Sequence, residues 1–191
     1  MEPIVSSFLL VAASEMGDKT QLLAFSLASR FRRPWVVMAG ILAATIVNHA
    51  LASGVGAWVS DHVPPRAMAA ILAVTFLAFA LWTLKPDELE EAKAPARFGP
   101  FLTTAVLFFL AEMGDKTQLA TVALAARYQS LVRVTLGTTL GMLAADGIAV
   151  FMGDQLAERL SMKWLRRFAA ALFLLFGLLS LWVAARPGTS S

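Results

Sequence analysis

Residues 13–22 read Ala13-Ser14-Glu15-Met16-Gly17-Asp18-Lys19-Thr20-Gln21-Leu22, and residues 110–119 read Leu110-Ala111-Glu112-Met113-Gly114-Asp115-Lys116-Thr117-Gln118-Leu119. Eight consecutive residues, Glu15 to Leu22, return identically 97 positions later. Chance does not produce identity of that length, so the two halves of the chain descend from a duplication. Each copy sits inside an otherwise apolar run. That setting decides the kind of protein this is.

Working outward from the motifs, apolar residue types make up 58% of the 191 residues and charged types only 15%, against roughly 25% charged in soluble domains. A core this small cannot hide so much apolar surface from water, so part of it faces lipid. Crossing the hydrocarbon takes about 20 apolar residues. Six stretches qualify: Ile4 to Ser29, Trp35 to Val59, Ala67 to Leu84, Phe101 to Ala125, Leu131 to Met152 and Trp164 to Ala185. Trp35, Trp58, Trp82, Trp164 and Trp182 fall near span ends, where an amphipathic ring prefers the headgroup layer. The expected fold is therefore an all-α integral membrane protein with six transmembrane helices. Residues 1–84 form the first three-helix repeat, 85–100 a charged linker, and 101–191 the second repeat. The start Met1-Glu2-Pro3 lacks the basic segment of a cleaved signal peptide, so the first span is expected to persist as a true helix.

Three spans per repeat is an odd number, so the second repeat enters the membrane from the opposite side. Inverted-topology repeats are typical of secondary transporters, with the site at the midplane where the halves meet. Basic residues set the orientation. One face carries Arg30, Arg32, Arg33, Lys85, Lys93, Arg97, Arg159, Lys163, Arg166 and Arg167; the other carries only Arg66, Arg127, Arg133 and Arg186. The richer face should be cytoplasmic, which puts both termini and the Asp61 and Arg127 loops outside.

A charge in the middle of a span costs about 3 kcal/mol on insertion scales, so it persists only against another charge, water or an ion. On an unbroken helix Glu15, Asp18 and Gln21 are three apart and form one ridge of oxygens, as do Glu112, Asp115 and Gln118. Inverted halves would bring the ridges together with the hydroxyls of Thr20 and Thr117. Such an all-oxygen site suits hard divalent cations such as Mn²⁺, Ca²⁺ or Mg²⁺. Gly17 and Gly114, between the acids, are points where a helix can kink and offer carbonyls, or else pack closely on a neighbour.

Four carboxylates with Lys19 and Lys116 sum to −2, which one divalent ion cancels. Two protons carry the same charge, so cation–proton exchange is the expected coupling. The alternative is that the lysines snorkel to an interface and leave the acids unpaired.

Asn48 and Asp146, in the second span of each half, occupy matching depths with a one-residue shift. Each is a candidate further ligand or gate. His49 lacks a counterpart on that alignment and reads as a packed or hydrogen-bonded histidine. Gly137-Thr138-Thr139-Leu140-Gly141 fits a small-residue packing face.

At the twin Glu-x-Gly-Asp-Lys-Thr motifs the sequence resembles the UPF0016 family, also called the Gdt1 family, over essentially its whole length. Eukaryotic members are Golgi proteins, and bacterial members include manganese exporters. The resemblance implies secondary transport of Mn²⁺ and, in some members, Ca²⁺, in exchange for protons, within the cation/Ca²⁺ exchanger superfamily. It also implies that Glu15, Asp18, Glu112 and Asp115 are the cation-binding acids, with Thr20, Gln21, Thr117 and Gln118 beside them. A short chain of this kind looks like a prokaryotic member in the cell inner membrane, exporting Mn²⁺ from the cytoplasm as a monomer or homodimer.

Competing readings are a Ca²⁺/H⁺ antiporter with the same site, a small-solute exporter, a non-transporting assembly subunit and an intramembrane enzyme. The enzyme reading lacks a His-Glu-x-x-His or Gly-x-Ser-x-Gly motif. No cofactor is implied. With no cysteine, two histidines and a scattered net charge of +3, thiolate chemistry, a histidine-rich zinc site and nucleic-acid binding are all disfavoured.

Overall fold

Both copies of the repeated motif interrupt a helix. The structure, a computed structural model, describes residues 1–85, 98–152 and 162–186. Its helices are α1 (Glu2–Glu15), α2 (Lys19–Phe31), α3 (Pro34–His62), α4 (Pro65–Trp82), α5 (Pro100–Glu112), α6 (Lys116–Tyr128), α7 (Leu131–Met152) and α8 (Met162–Ala185). No strand occurs among the described residues. Helices α3, α4 and α7, and Arg166–Ala185 of α8, are each long and apolar enough to cross a membrane.

The first and fourth expected spans are thus corrected: each is two shorter helices, α1 with α2 and α5 with α6, rather than one continuous rod. Residues 86–97, most of the expected linker, lie outside the described residues, as does Arg159 of the orientation count.

Local sequence explains the helix limits. Proline stands in the first turn of α1, α3, α4 and α5, where its missing N–H is not needed. Helices α2 and α6 end alike, on left-handed residues Arg32 (φ 51°) and Gln129 (φ 48°). Their N–H groups return to the carbonyls of Ala28 at 2.9 Å and Ala125 at 2.8 Å, closing the last turn.

The packing exchanges partners between the two chain halves. Helices α1 and α2 lie along α7, α5 and α6 lie along α3, and α4 pairs with α8. At Gly137 an added Cβ would stand 2.5 Å from the Ile4 carbonyl oxygen and 2.9 Å from Ser7 Cβ. At Gly40 it would stand 2.8 Å from the Phe101 carbonyl oxygen and 2.7 Å from Thr104 Cβ. The two contacts correspond position for position at the 97-residue offset, Gly40 with Gly137, Ile4 with Phe101 and Ser7 with Thr104, with the halves exchanged. Gly141 packs as closely on Phe8 and Ala12, so the 137–141 stretch is the packing face its spacing predicts.

Away from this contact, Phe76, Phe79, Phe173 and Phe176 knit α4 to α8 with ring centroids 5.5 to 6.4 Å apart. The outer side of α8 exposes Leu174, Leu175, Leu178, Leu181 and Trp182, a surface that only an apolar solvent accepts.

Candidate functional site

Gly17 and Gly114 adopt φ values of 80° and 77°. That left-handed conformation is open to glycine and costs an L-residue about 1–2 kcal/mol. It ends α1 at Glu15 and α5 at Glu112, and restarts the chain at Asp18 and Asp115. Each break leaves a carbonyl-bearing helix end and an N–H-bearing helix start within an apolar run, where backbone groups need partners.

The motif side chains supply several of them. Gly17 N–H donates to Gln21 Oε1 at 2.8 Å, and Gly114 N–H to Gln118 Oε1 at 2.7 Å. Asp115 Oδ1, at the start of α6, accepts from the N–H of its neighbour Lys116 at 2.7 Å, a negative group placed where helix N–H groups converge. Gln21 Nε2 reaches across to the Ala145 carbonyl on α7 at 2.9 Å. The continuous oxygen ridge expected from helical spacing therefore does not form. The break spends the two glutamine oxygens on the backbone instead.

The two motifs meet. Lys116 Nζ binds Asp18 Oδ1, while Lys19 Nζ lies 3.3 Å from Asp115 Oδ2. Each lysine thus serves the aspartate of the other motif. Snorkelling is overturned: the Lys116 side chain is 4% exposed and that of Lys19 29%.

Both threonines turn to one glutamate. Thr20 Oγ1 donates to Glu15 Oε2 at 2.6 Å, and Thr117 Oγ1 donates to Glu15 Oε1. Glu112, 1% exposed, has no hydrogen-bond partner for either carboxyl oxygen. Sequence symmetry gave no sign of this asymmetry, because identical motifs look interchangeable until side chains compete for the same partner.

Asn48 and Asp146 are both fully buried. Asn48 Nδ2 donates to the Phe109 carbonyl at 3.1 Å, beside the α5 end, and its Oδ1 has no hydrogen-bond partner. Neither oxygen of Asp146 has one. The constant 97-residue offset obeyed by the Gly40 and Gly137 contacts pairs Asp146 with His49, not with Asn48. His49 is therefore not the unmatched residue the shifted alignment made it. It is fully buried, with both ring nitrogens lacking hydrogen-bond partners.

Buried polar atoms without partners are rare and call for an explanation. Those on Glu112 and Asp146 are oxygens, the donor type that hard divalent cations take. In the form described, however, no three acidic or histidine side chains among the described residues stand close enough to hold one metal ion. In this form the two aspartates stand in cross-linked Asp–Lys pairs, Glu15 is held by the two threonines and Glu112 keeps both oxygens without a hydrogen-bond partner. A cavity of about 730 Å³ opens separately at the far ends of α3 and α6, lined by Asp61, His62, Arg127 and Gln129 among others.

Comparison with known proteins bears on what this arrangement does. The family model described as divalent cation/proton antiporter GDT1 matches residues 3–91 and 100–187. The chain belongs to the GDT1 family. That family is one of membrane transporters rather than enzymes, exchanging divalent cations for protons. A Vibrio cholerae protein named "Putative manganese exporter" is 44% identical over 179 residues, covering 93% of this chain and 90% of that one. GDT1-like protein sll0615 of Synechocystis is 32% identical, covering 93% and 95%. GDT1-like protein 3 of Arabidopsis thaliana is 28% identical, covering 94% of this chain and 70% of its own. No solved structure matches the chain.

Proposed function

We propose that this GDT1-family chain exports divalent cations, chiefly Mn²⁺, from the cytoplasm by proton antiport. It does so through a midplane site made by Glu15, Asp18, Glu112 and Asp115, with Thr20, Gln21, Thr117, Gln118, Asn48 and Asp146 around them. The protein has six spans in two inverted repeats, lies in the cell inner membrane and carries both termini outside. The observation that carries the reading is the meeting of the two motifs, through Lys116 with Asp18 and Lys19 with Asp115. Chain halves that bond reciprocally at one depth form the kind of centre around which inverted repeats rock.

Three further observations support it. The packing contacts exchange halves at a constant offset. Both motif-bearing helices break, at Gly17 and Gly114, as do helices in transporters with midplane ion sites. The name of the Vibrio cholerae relative favours manganese.

Transport follows alternating access. The acids take the ion from the cytoplasmic side, the halves rock about the Gly40 and Gly137 contacts, and protons from outside replace the ion. Metal uptake by inside-out vesicles tests this. An acidic lumen should accelerate Mn²⁺ uptake over Ca²⁺ and Mg²⁺, and Asp115→Asn should abolish it. Flux indifferent to the proton gradient would refute antiport, and faster Ca²⁺ than Mn²⁺ uptake would move the assignment to calcium.

A further inference from the structure

We infer that Lys19 and Lys116 are tethered cations that hold the Asp115 and Asp18 carboxylates between transport events and are displaced from them by the arriving divalent ion. The inference rests on the metal-transport reading above and gives the lysines a role in it.

The geometry is reciprocal. Lys116 on α6 binds Asp18 at the start of α2, and Lys19 on α2 binds Asp115 at the start of α6, at 3.3 Å. A lysine that merely cancelled charge locally would serve the aspartate beside it. These reach the aspartate of the opposite motif, so both pairs cross the centre where the ion must sit. Asp18 and Asp115 are 2% and 4% exposed overall. A carboxylate at that depth is costly unless a cation stands beside it. The ammonium is that cation whenever the metal is elsewhere.

Displacement trades one counter-charge for another at the two aspartates. The lysines keep their own protons and stay tethered in the bundle, so the ion's two charges are balanced by the protons that leave as it binds, as the antiport above requires. Displacement also makes the site selective. An alkali cation brings no more charge than the ammonium it would evict, whereas a divalent ion brings twice as much and accepts several oxygens at once. The two lysines are not equal, since the Lys19 side chain is 29% exposed and that of Lys116 4%. Lys19, nearer an exit, is the easier to displace, and Lys116 sets the affinity.

The test uses the full chain in lipid nanodiscs, with Mn²⁺ affinity from titration calorimetry and metal-free melting from tryptophan fluorescence. The variants are Lys116→Met, Asp18→Asn and the double variant. Lys116→Met should bind Mn²⁺ at least about tenfold more tightly, and without metal it should melt below wild type. The double variant should recover melting, because removing both partners leaves no buried charge unpaired. Lower melting without tighter binding would make the pair mere cement. Tighter binding without recovery in the double variant would make Lys116 a bystander charge. Either result overturns the inference, as does no change at all. Should Lys116→Met fail to fold, Lys19→Met carries the test, with a gain of about threefold expected at its more exposed pair and no gain overturning the assignment. Wild type that binds neither Mn²⁺, Ca²⁺ nor Mg²⁺ would instead overturn the transport reading itself, and the lysine role with it.

Discussion

Replacing Gly114 by alanine separates the backbone's role at the site from that of the side chains. Nothing lies within 4 Å of a Cβ added there, so the substitution creates no clash. Its cost is conformational. At φ 77° alanine pays about 1–2 kcal/mol for the left-handed backbone. It also favours helix over glycine by about 1 kcal/mol. Both terms act in one direction, toward joining α5 to α6. A bias of about 2–3 kcal/mol shifts the equilibrium between broken and continuous helix by roughly 30- to 150-fold. A continuous helix would withdraw Gly114 N–H from Gln118 and swing Asp115 and Lys116 out of register with Lys19 and Asp18. Mn²⁺ uptake in vesicles should fall at least tenfold while the protein still reaches the membrane. Gly114→Asn, which tolerates the left-handed region better, should retain more activity. Wild-type flux from Gly114→Ala would refute the argument that the break makes the site.

Two further outcomes follow from the packing and the hydrogen bonds. Gly137→Ala puts a methyl 2.5 Å from a backbone oxygen that cannot step aside and should lower stability by about 1–3 kcal/mol. Gly54→Ala meets only Leu131 Cδ1 at 3.9 Å and should leave the melting temperature level or slightly raised, so equal losses at both would contradict the packing account. Thr117→Val strips Glu15 of one donor and should cost about 1–3 kcal/mol in thermal unfolding. Ser60→Ala, which removes a bond only to the Ala57 carbonyl one turn back, should change melting by less than about 0.5 kcal/mol.

Much of the helix plan was legible because it rests on composition and period. The Leu131–Met152 span agrees to the residue with α7, and the other ends differ by a few positions where proline or a turn takes over. The motif acids were legible as a group, since charges in an apolar run have few reasons to exist. What they do to the chain was only half legible. Gly17 and Gly114 marked a weak point, but glycine also serves close packing, and only the backbone angles separate the two uses.

The lysine exchange was hidden for a different reason. Lys19 stands one residue from Asp18, and sequence proximity gives no sign of the crossing. The counterpart of His49 was hidden because an alignment anchored on the similar polarity of Asn48 and Asp146 slides by one residue, although its reading as a packed side chain agrees with its burial. Packing at Gly40 and Gly137 fixes the register that polarity blurred.

The exchange of packing partners has a bearing on how the protein is made. Neither duplicated segment can complete its own interior, because α1 and α2 find their bed on α7 while α5 and α6 find theirs on α3. During synthesis the early segment must therefore wait in the bilayer, its grooves lined by lipid, until the later one arrives. Assembly then resembles dimerisation of two siblings joined by a tether. On the proposed transport route, a lesion in a groove far from any acid should surface as lost metal tolerance, since the seam that holds the molecule together is also the one the cargo would cross.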